Sequence, residues 1–187
     1  MVYVPYIATG FIFLVLSDVA QIGRRRYLSR ASIIFGYGAI VSSFCSLFIA
    51  HRVSMHPGFS RMLFTLTAGA GTMLLLYSTV LEIPLIAWLN RNRDTEPSPE
   101  RKALTSGTYG LVRHPGFLWM LFATMSFAVL YESSVVTVAV AAVNILNFIL
   151  ICVEDIFLFP RIFSNYDEYR QQVSFLIPGG LAWRKKY

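Results

Sequence analysis

Charged residues are scarce in this sequence, and their scarcity excludes an ordinary soluble domain. Only 14% of the 187 residues are Asp, Glu, Lys or Arg, whereas soluble domains carry about 25%. Hydrophobic residues make up 56% of the chain, and its mean hydropathy is +0.58. The composition therefore predicts an integral membrane protein, folded as one domain over residues 1–187.

Cysteine is almost absent, which argues against a metal site built from thiolates. The two cysteines, Cys45 and Cys152, lie far apart in apolar segments and lack the spacing of metal ligands. We expect both to be buried as small apolar residues, and we predict no metal.

Basic residues outnumber acidic ones, but they flank hydrophobic runs and form no separate basic region, which argues against nucleic-acid binding. The N-terminus is apolar first and basic afterwards, the reverse of a cleavable signal peptide, so it predicts a retained first membrane helix. Fourteen of the 16 Lys and Arg residues fall on one side of the predicted membrane. This asymmetry predicts an outside N-terminus and a cytoplasmic C-terminus.

Five apolar stretches approach the length of about 20 residues that a helix needs to cross the hydrocarbon. They cover residues 4–20, 31–50, 62–89, 117–130 and 135–153, and the third is interrupted by Glu82 and Pro84. The first three form an N-terminal part, residues 1–90. Residues 91–187 hold a polar loop, two further helices and a tail. In the tail, a spacing of three and four predicts an amphipathic helix on the cytoplasmic interface or over a site, with Ile162, Phe163, Tyr166, Tyr169, Val173 and Leu176 on one face.

Ionisable residues at membrane depth are costly, so each one is a candidate functional residue. Asp18 is either an interfacial partner of Arg24 or Arg25 or part of a site. Glu82 either lines a cavity at the Pro84 kink or marks the end of its helix. The pair Glu154 and Asp155 is either solvated by the headgroups or functional.

The predicted topology brings Arg113-His114-Pro115 and Glu154-Asp155 to the same cytoplasmic side. They start the fourth helix and end the fifth, and these helices are antiparallel neighbours because the loop between them is short. A cation, an imidazole and two carboxylates at one level would suit a zwitterionic ligand.

The stretch LTSGTYGLVRHPGF, residues 104–117, resembles the L-x-T-x-G-P-Y-x-x-V-R-H-P-x-Y segment of the isoprenylcysteine carboxyl methyltransferase family and its phospholipid methyltransferase relatives. An acidic pair, a Tyr-x-x-Tyr segment, a Val and an Ile-Pro follow in the family's order, here Glu154-Asp155, Tyr166, Tyr169, Val173 and Ile177-Pro178. The resemblance covers residues 104–178. It implies a multi-helix membrane enzyme that uses S-adenosylmethionine.

The resemblance also implies which residues form the site. Arg113, His114 and Glu154 are the candidate catalytic residues. The candidate cofactor-binding residues are Tyr109, Gly110, Leu111, Val112, Arg113, His114, Pro115, Glu154, Asp155, Tyr166 and Tyr169. Carboxylates such as Glu154 suit the ammonium or the ribose hydroxyls, Arg113 or His114 with nearby backbone amides suits the carboxylate, and tyrosine rings suit adenine.

The chain departs from the family's pattern at several positions. Thr108 replaces the usual Pro, Phe117 the usual Tyr and Asp155 the second Glu, while Trp119 and Phe163 stand where Gly is common. These changes leave the substrate open. Gly69-Ala70-Gly71 is either a Gly-x-Gly of the kind seen in phospholipid N-methyltransferases or a helix-packing contact.

The expected reaction moves a methyl group to a lipophilic acceptor from the bilayer, with a carboxylate, amine or thiol nucleophile. Two alternatives remain: a sterol-reductase-like enzyme that binds NADPH, and a small membrane scaffold without enzymatic activity. The compact length favours a prokaryotic inner membrane, with the ER membrane as the alternative in a eukaryote, and membrane lipids are the expected partners.

Overall fold

The computed structural model describes residues 3–23, 25–51, 58–82 and 102–178, without the side chains of Arg26 and Val80. Within these residues the chain forms seven α-helices and no strand. They are α1 (Tyr3–Ile22), α2 (Arg26–Ala50), α3 (Phe59–Leu76), α4 (Pro115–Tyr131), α5 (Ser134–Val153), α6 (Phe159–Ile162) and α7 (Tyr166–Gln172).

Four helical segments are long and apolar enough to cross a membrane. They are Tyr3–Ile22, Tyr27–Ala50, Phe59–Thr79 and Ser134–Ile162, and α4 is a shorter apolar helix of 17 residues. The predicted all-α membrane fold is confirmed, with four helices long enough to span the membrane and α4 as the shorter fifth apolar helix.

Two of the spanning helices end in π-helical turns. Helix α3 continues through Tyr77–Glu82, and α5 continues through Glu154–Leu158 into α6. π-Helical turns inside α-helices are uncommon and occur frequently at functional sites. The predicted third span reaches residue 89, but residues 83–89, including Pro84, lie outside the described part of the chain.

The five long helices pack in the spatial order α2, α1, α5, α4, α3. The main core lies where α1, α2 and α5 meet, around Ile7, Leu47 and Val140. Small residues bring helices close together: a Cβ added at Gly71 of α3 would lie 2.9 Å from the backbone nitrogen of Ala123 in α4, whereas Gly69 faces open space. Gly71 is therefore a packing contact between α3 and α4.

Successive long helices run in opposite directions. The ends of α1, α3 and α5 and the starts of α2 and α4 therefore lie at the same end of the bundle, which we call the site end. At this end the hydroxyls of Ser17 in α1 and Ser29 in α2 lie 3.1 Å apart. At the opposite end, His51 Nδ1 lies 3.4 Å from Ser133 Oγ. The predicted juxtaposition of Arg113-His114 with Glu154-Asp155 depends on this arrangement.

The two cysteines are not buried as predicted. Cys45 is exposed on α2, and Cys152 is half-buried. An apolar residue in a membrane helix can face lipid as well as the protein interior, so hydrophobic surroundings in the sequence do not imply burial in the core.

The tail forms two short helices instead of one continuous helix. Helix α6 ends at Ile162, and α7 spans Tyr166–Gln172. Between them, Asn165 Oδ1 accepts a hydrogen bond of 2.6 Å from the backbone N–H of Ala103. Tyr166, Tyr169 and Val173 are buried together against the loop before α4. Of the two predicted locations, over a site or on the interface, the structure places α7 beside the candidate site.

Candidate functional site

The loop before α4 is held in a tight turn. Residues Gly107–Gly110 form a 3-10 turn, and Gly107 has a φ of 63°, in the region that favours glycine. A Cβ added at Gly110 would lie 2.8 Å from the carbonyl oxygen of Thr105. The N–H groups of Leu111 and Val112 then donate to the carbonyl oxygen of Thr108. The turn therefore sets the position of the residues that follow it.

Arg113 and His114 are fixed between the tail and the start of α4. The N–H of Arg113 donates to the carbonyl oxygen of Ser174 at 2.9 Å, and Val112 forms a parallel bridge with Ser174. His114 precedes α4, and Pro115 is its first residue, where a missing N–H costs nothing.

Asp155 is the centre of a buried cluster that we call the hub, formed by Arg113, His114, Asp155 and Tyr166. Arg113 Nη1 lies 2.7 Å from both carboxylate oxygens of Asp155, and the Tyr166 hydroxyl donates to Oδ1 at 2.6 Å. His114 Nε2 lies 3.4 Å from the same oxygen. Asp155 is only 4% exposed. A buried carboxylate needs such partners, and here the segment before α4 and helix α7 provide them.

Aromatic rings enclose the hub. The Arg113 guanidinium lies 5.4 Å from the ring centre of Phe175, and the His114 ring stacks on Phe159 at 5.8 Å. Burial lowers the pKa of His114, and hydrogen bonding to Asp155 opposes this effect. The imidazole is therefore neutral near pH 7.

The two tyrosines of the Tyr-x-x-Tyr segment are anchored by their hydroxyls. Tyr166 donates to Asp155, and Tyr169 donates to the carbonyl oxygen of Tyr109 at 2.7 Å. Burial raises the pKa of both hydroxyls, and in Tyr166 the hydrogen bond to Asp155 adds to the effect. Both groups are therefore neutral donors that tie α7 to the site.

Glu154 faces a different environment from Asp155, which we call the vestibule and define by Asp18, Tyr37, Tyr109 and Glu154. Glu154 Oε2 lies 4.0 Å from His114 Nδ1, and its side chain is 17% exposed. It also lies within electrostatic range of Asp18 of α1. Tyr37 of α2 lies within electrostatic range of both carboxyl groups, as Tyr109 does of Glu154. The vestibule is thus lined by α1, α2, α5 and the loop.

The residues of the vestibule are less buried than those of the hub. Tyr37 is 54% exposed, and Tyr109 is half-buried. Burial, followed by the charge of Glu82, raises the pKa of Tyr109 to about 12, so its hydroxyl stays protonated at neutral pH. Two carboxyl groups beside accessible aromatic rings suit a cationic ligand.

Glu82 supports the loop from the end of α3. Its side chain is fully buried, and it accepts hydrogen bonds from the N–H of Thr108, at 2.6 Å, and from the Thr108 hydroxyl. The Tyr109 hydroxyl donates to the carbonyl oxygen of Ser78 at 3.1 Å. Glu82 therefore lines no open cavity, and it ends the described part of its helix while holding the loop.

The structure brings all eleven candidate site residues to the site end. Arg113, His114, Asp155 and Tyr166 form the hub, and Glu154 and Tyr109 face the vestibule, while the remaining five position the loop or the tail. Asp18 joins Glu154, although the sequence also suggested a partner in Arg24, which lies outside the described residues, or in Arg25. Tyr37 had no sequence signal, because an aromatic residue in an apolar helix is ordinary.

Comparison with protein-family models, with curated proteins and with solved structures finds no match to this chain. Among the described residues, no group of three or more His, Cys, Asp or Glu side chains is placed to hold a metal ion. The function is therefore inferred from the residues of the site and their geometry.

Proposed function

We propose that this protein is a membrane-embedded methyltransferase that uses S-adenosylmethionine and resembles the isoprenylcysteine carboxyl methyltransferases. The observation that carries the proposal is the meeting of three sequence motifs at one carboxylate. Arg113-His114, Asp155 and Tyr166 come from separate segments, and they converge in the hub. The second carboxylate, Glu154, is left facing the vestibule beside His114.

The polar groups of the site match those of S-adenosylmethionine. Asp18 and Glu154 offer carboxyl groups to its ammonium and sulfonium charges, and Tyr37 and Tyr109 offer rings to its adenine. Arg113 Nε is buried and has no hydrogen-bond partner among the described residues. This unused donor suits the carboxylate of the cofactor.

When bound, S-adenosylmethionine supplies a methyl group on a sulfonium. The chain's own contribution is to position that group and an acceptor from the bilayer, and to exclude water. In such a transfer the bond from methyl to sulfur would break as the bond from methyl to the acceptor formed, which would leave a neutral thioether. A carboxylate acceptor needs no base. A protonated amine must first lose a proton, which Glu154 or Nδ1 of the neutral His114 can take.

The site end is proposed to face the cytoplasm, because the predicted excess of Lys and Arg lies on that side. A lipophilic acceptor would then approach from the bilayer through the helices. The proposed location is thus a membrane, with membrane lipids as partners of the protein.

A binding experiment tests this function. The full chain in detergent is titrated with S-adenosylmethionine and with NADPH, as wild type, Glu154→Gln and the control Glu168→Gln, which changes an exposed carboxylate of α7. We expect the wild type and the control to bind S-adenosylmethionine and Glu154→Gln to bind about 10- to 100-fold more weakly, since a charged hydrogen bond is worth about 1.5–3 kcal/mol.

Binding of NADPH alone would favour the reductase alternative. Binding of neither ligand would favour the alternative of a membrane scaffold without enzymatic activity. If S-adenosylmethionine binds, transfer of a labelled methyl group to a prenylcysteine analogue, to phosphatidylethanolamine or to a hydrophobic thiol then identifies the nucleophile.

A further inference from the structure

Thr108 uses every polar group it has. Its carbonyl oxygen accepts from the N–H groups of Leu111, at 3.1 Å, and Val112, at 3.2 Å. Its own N–H and hydroxyl donate to the two carboxylate oxygens of Glu82. Thr108 therefore connects the end of α3 to the segment that carries Arg113 and His114.

Glu82 is an unusual residue to place in a membrane protein interior. Its side chain is fully buried, and burying a carboxylate is costly unless hydrogen bonds compensate it. Each of its oxygens is occupied by a donor of Thr108. Full burial and occupied oxygens leave it no surface with which to touch a substrate.

The same end of α3 holds the next residue of the loop as well. The Tyr109 hydroxyl donates to the carbonyl oxygen of Ser78, in the π-helical turn that ends at Glu82. The Tyr109 carbonyl in turn accepts from Tyr169 of α7. Glu82 and Ser78 thus hold the loop from one side, and α7 holds it from the other.

We infer that Glu82 is a positioning residue that acts through Thr108 to hold Tyr109 and the Arg113-His114 segment in place for the ligand. This inference rests on the proposed function, and it adds a specific role for a residue outside the motif that resembles the methyltransferase family. The motif carries a proline where this chain has Thr108, and proline has no N–H to donate. A proline at position 108 would therefore lack the N–H that Thr108 donates to Glu82.

Four variants separate positioning from direct chemistry. Glu82→Gln keeps an oxygen for the Thr108 N–H and an amide group for its hydroxyl, whereas Glu82→Ala removes both acceptors. Thr108→Ser keeps both donors, and Thr108→Val removes the hydroxyl. Ser126→Ala is the matched control, since it removes the hydrogen bond of 2.9 Å between Thr67 of α3 and Ser126 of α4.

Two readouts are measured on the full chain in detergent: hydrogen–deuterium exchange of residues 107–114 and the dissociation constant for S-adenosylmethionine. We expect Glu82→Ala to speed exchange in this segment by about tenfold or more and to weaken binding by about tenfold or more. Glu82→Gln and Thr108→Ser should stay within about threefold of wild type in both readouts, and Thr108→Val should be intermediate. The control should change neither.

The outcomes that overturn the inference are distinct from failure of the proposed function. Equal losses of binding in Glu82→Gln and Glu82→Ala, with exchange unchanged in Glu82→Gln, would assign Glu82 a direct role in place of a positioning one. Faster exchange without weaker binding would show that the contact does not serve the ligand. If the wild type binds no S-adenosylmethionine, the proposed function and the ligand role of Glu82 both fail, and the exchange measurement alone decides whether Glu82 holds the segment.

Discussion

The hub and the vestibule lie on opposite sides of His114 and treat two consecutive carboxyl groups in opposite ways. Asp155, in the hub, is 4% exposed and is bound by Arg113 and Tyr166. Glu154, in the vestibule, has a partly exposed side chain and faces another carboxyl group, Asp18. One acidic residue is thus paired with a cation and a hydroxyl inside the protein, and the next is the carboxylate that the proposed function assigns to the ligand.

On the proposed function, this difference separates a structural role from a ligand-binding role in two consecutive residues. Neighbouring helical residues point about 100° apart, so a single helix can present one carboxylate to each region. The contacts of the hub hold the loop, the end of α5 and α7 together. Changes in the vestibule should therefore not disturb the packing of these elements. We expect substitutions in the hub to lower the free energy of unfolding more than substitutions in the vestibule.

The largest effect is expected for Asp155→Ala, which leaves the Arg113 guanidinium buried without its carboxylate. Breaking a buried ion pair from one side costs about 3–5 kcal/mol. Thermal unfolding in detergent should show a marked loss of stability. Asp167→Ala, at an exposed position of α7, is the control and should change little. An equal loss of stability in the two variants would show that the hub does not stabilise the fold.

A smaller loss is expected for Tyr166→Phe, which removes only the hydroxyl that donates to Asp155 at 2.6 Å. A hydrogen bond to a charged group is worth about 1.5–3 kcal/mol. Tyr37→Phe is the vestibule counterpart, and it should alter the free energy of unfolding by less than about 0.5 kcal/mol. A larger loss of stability in Tyr37→Phe than in Tyr166→Phe would contradict the assignment of the structural role to the hub.

The third effect is a dependence on pH that comes from His114. Burial lowers its pKa below the ordinary value of 6.5, so below pH 6.5 the unfolded chain binds a proton that the folded chain resists. The contribution of His114 is present above that pH and is lost as the pH falls, with a slope of at most about 1.4 kcal/mol per pH unit. Unfolding of the wild type and of His114→Asn between pH 7.5 and 5 checks this, since the variant should lose this slope. A wild type that gains stability on acidification through this group would contradict it.

The smallest effect is expected for Glu154→Gln in the absence of ligand. This change removes a charge that faces Asp18 and retains the size of the side chain, so the stability should stay within about 0.5 kcal/mol of wild type. A loss comparable to that of Asp155→Ala would show that both carboxylates are structural. Such a result would weaken the case for a ligand site in the vestibule.

The positions of the helices and the meeting of the motifs could be predicted from the sequence. Apolar length predicted the spans, and alternating directions predicted that Arg113-His114 would meet Glu154-Asp155. The different roles of the two carboxylates could not be predicted. They depend on the rotation of the π-helical turn Glu154–Leu158, which no periodicity in the sequence indicates.

Contacts between distant residues explain the other failures. The tail has helical spacing throughout, yet it breaks where Asn165 binds the backbone of Ala103, because a tertiary contact overrode the local pattern. Asp18 was recognised as costly, but its neighbour across the bundle, Glu154, lies more than one hundred residues away in the chain. Glu82 was left between two interpretations until Thr108 proved to be its partner.

The parallel bridge between Val112 and Ser174 has a consequence for biogenesis. In the described part of the chain all five long helices precede Ser174, so they are synthesised before the N–H of Arg113 has its acceptor. Helix α7 and Ser174 must therefore be synthesised before the loop can form its hydrogen bond to the Ser174 carbonyl oxygen. A chain that stopped between α5 and α7 would therefore contain every long helix of the described structure, and yet it could form neither the hydrogen bond from Arg113 to Ser174 nor the one from Tyr166 to Asp155.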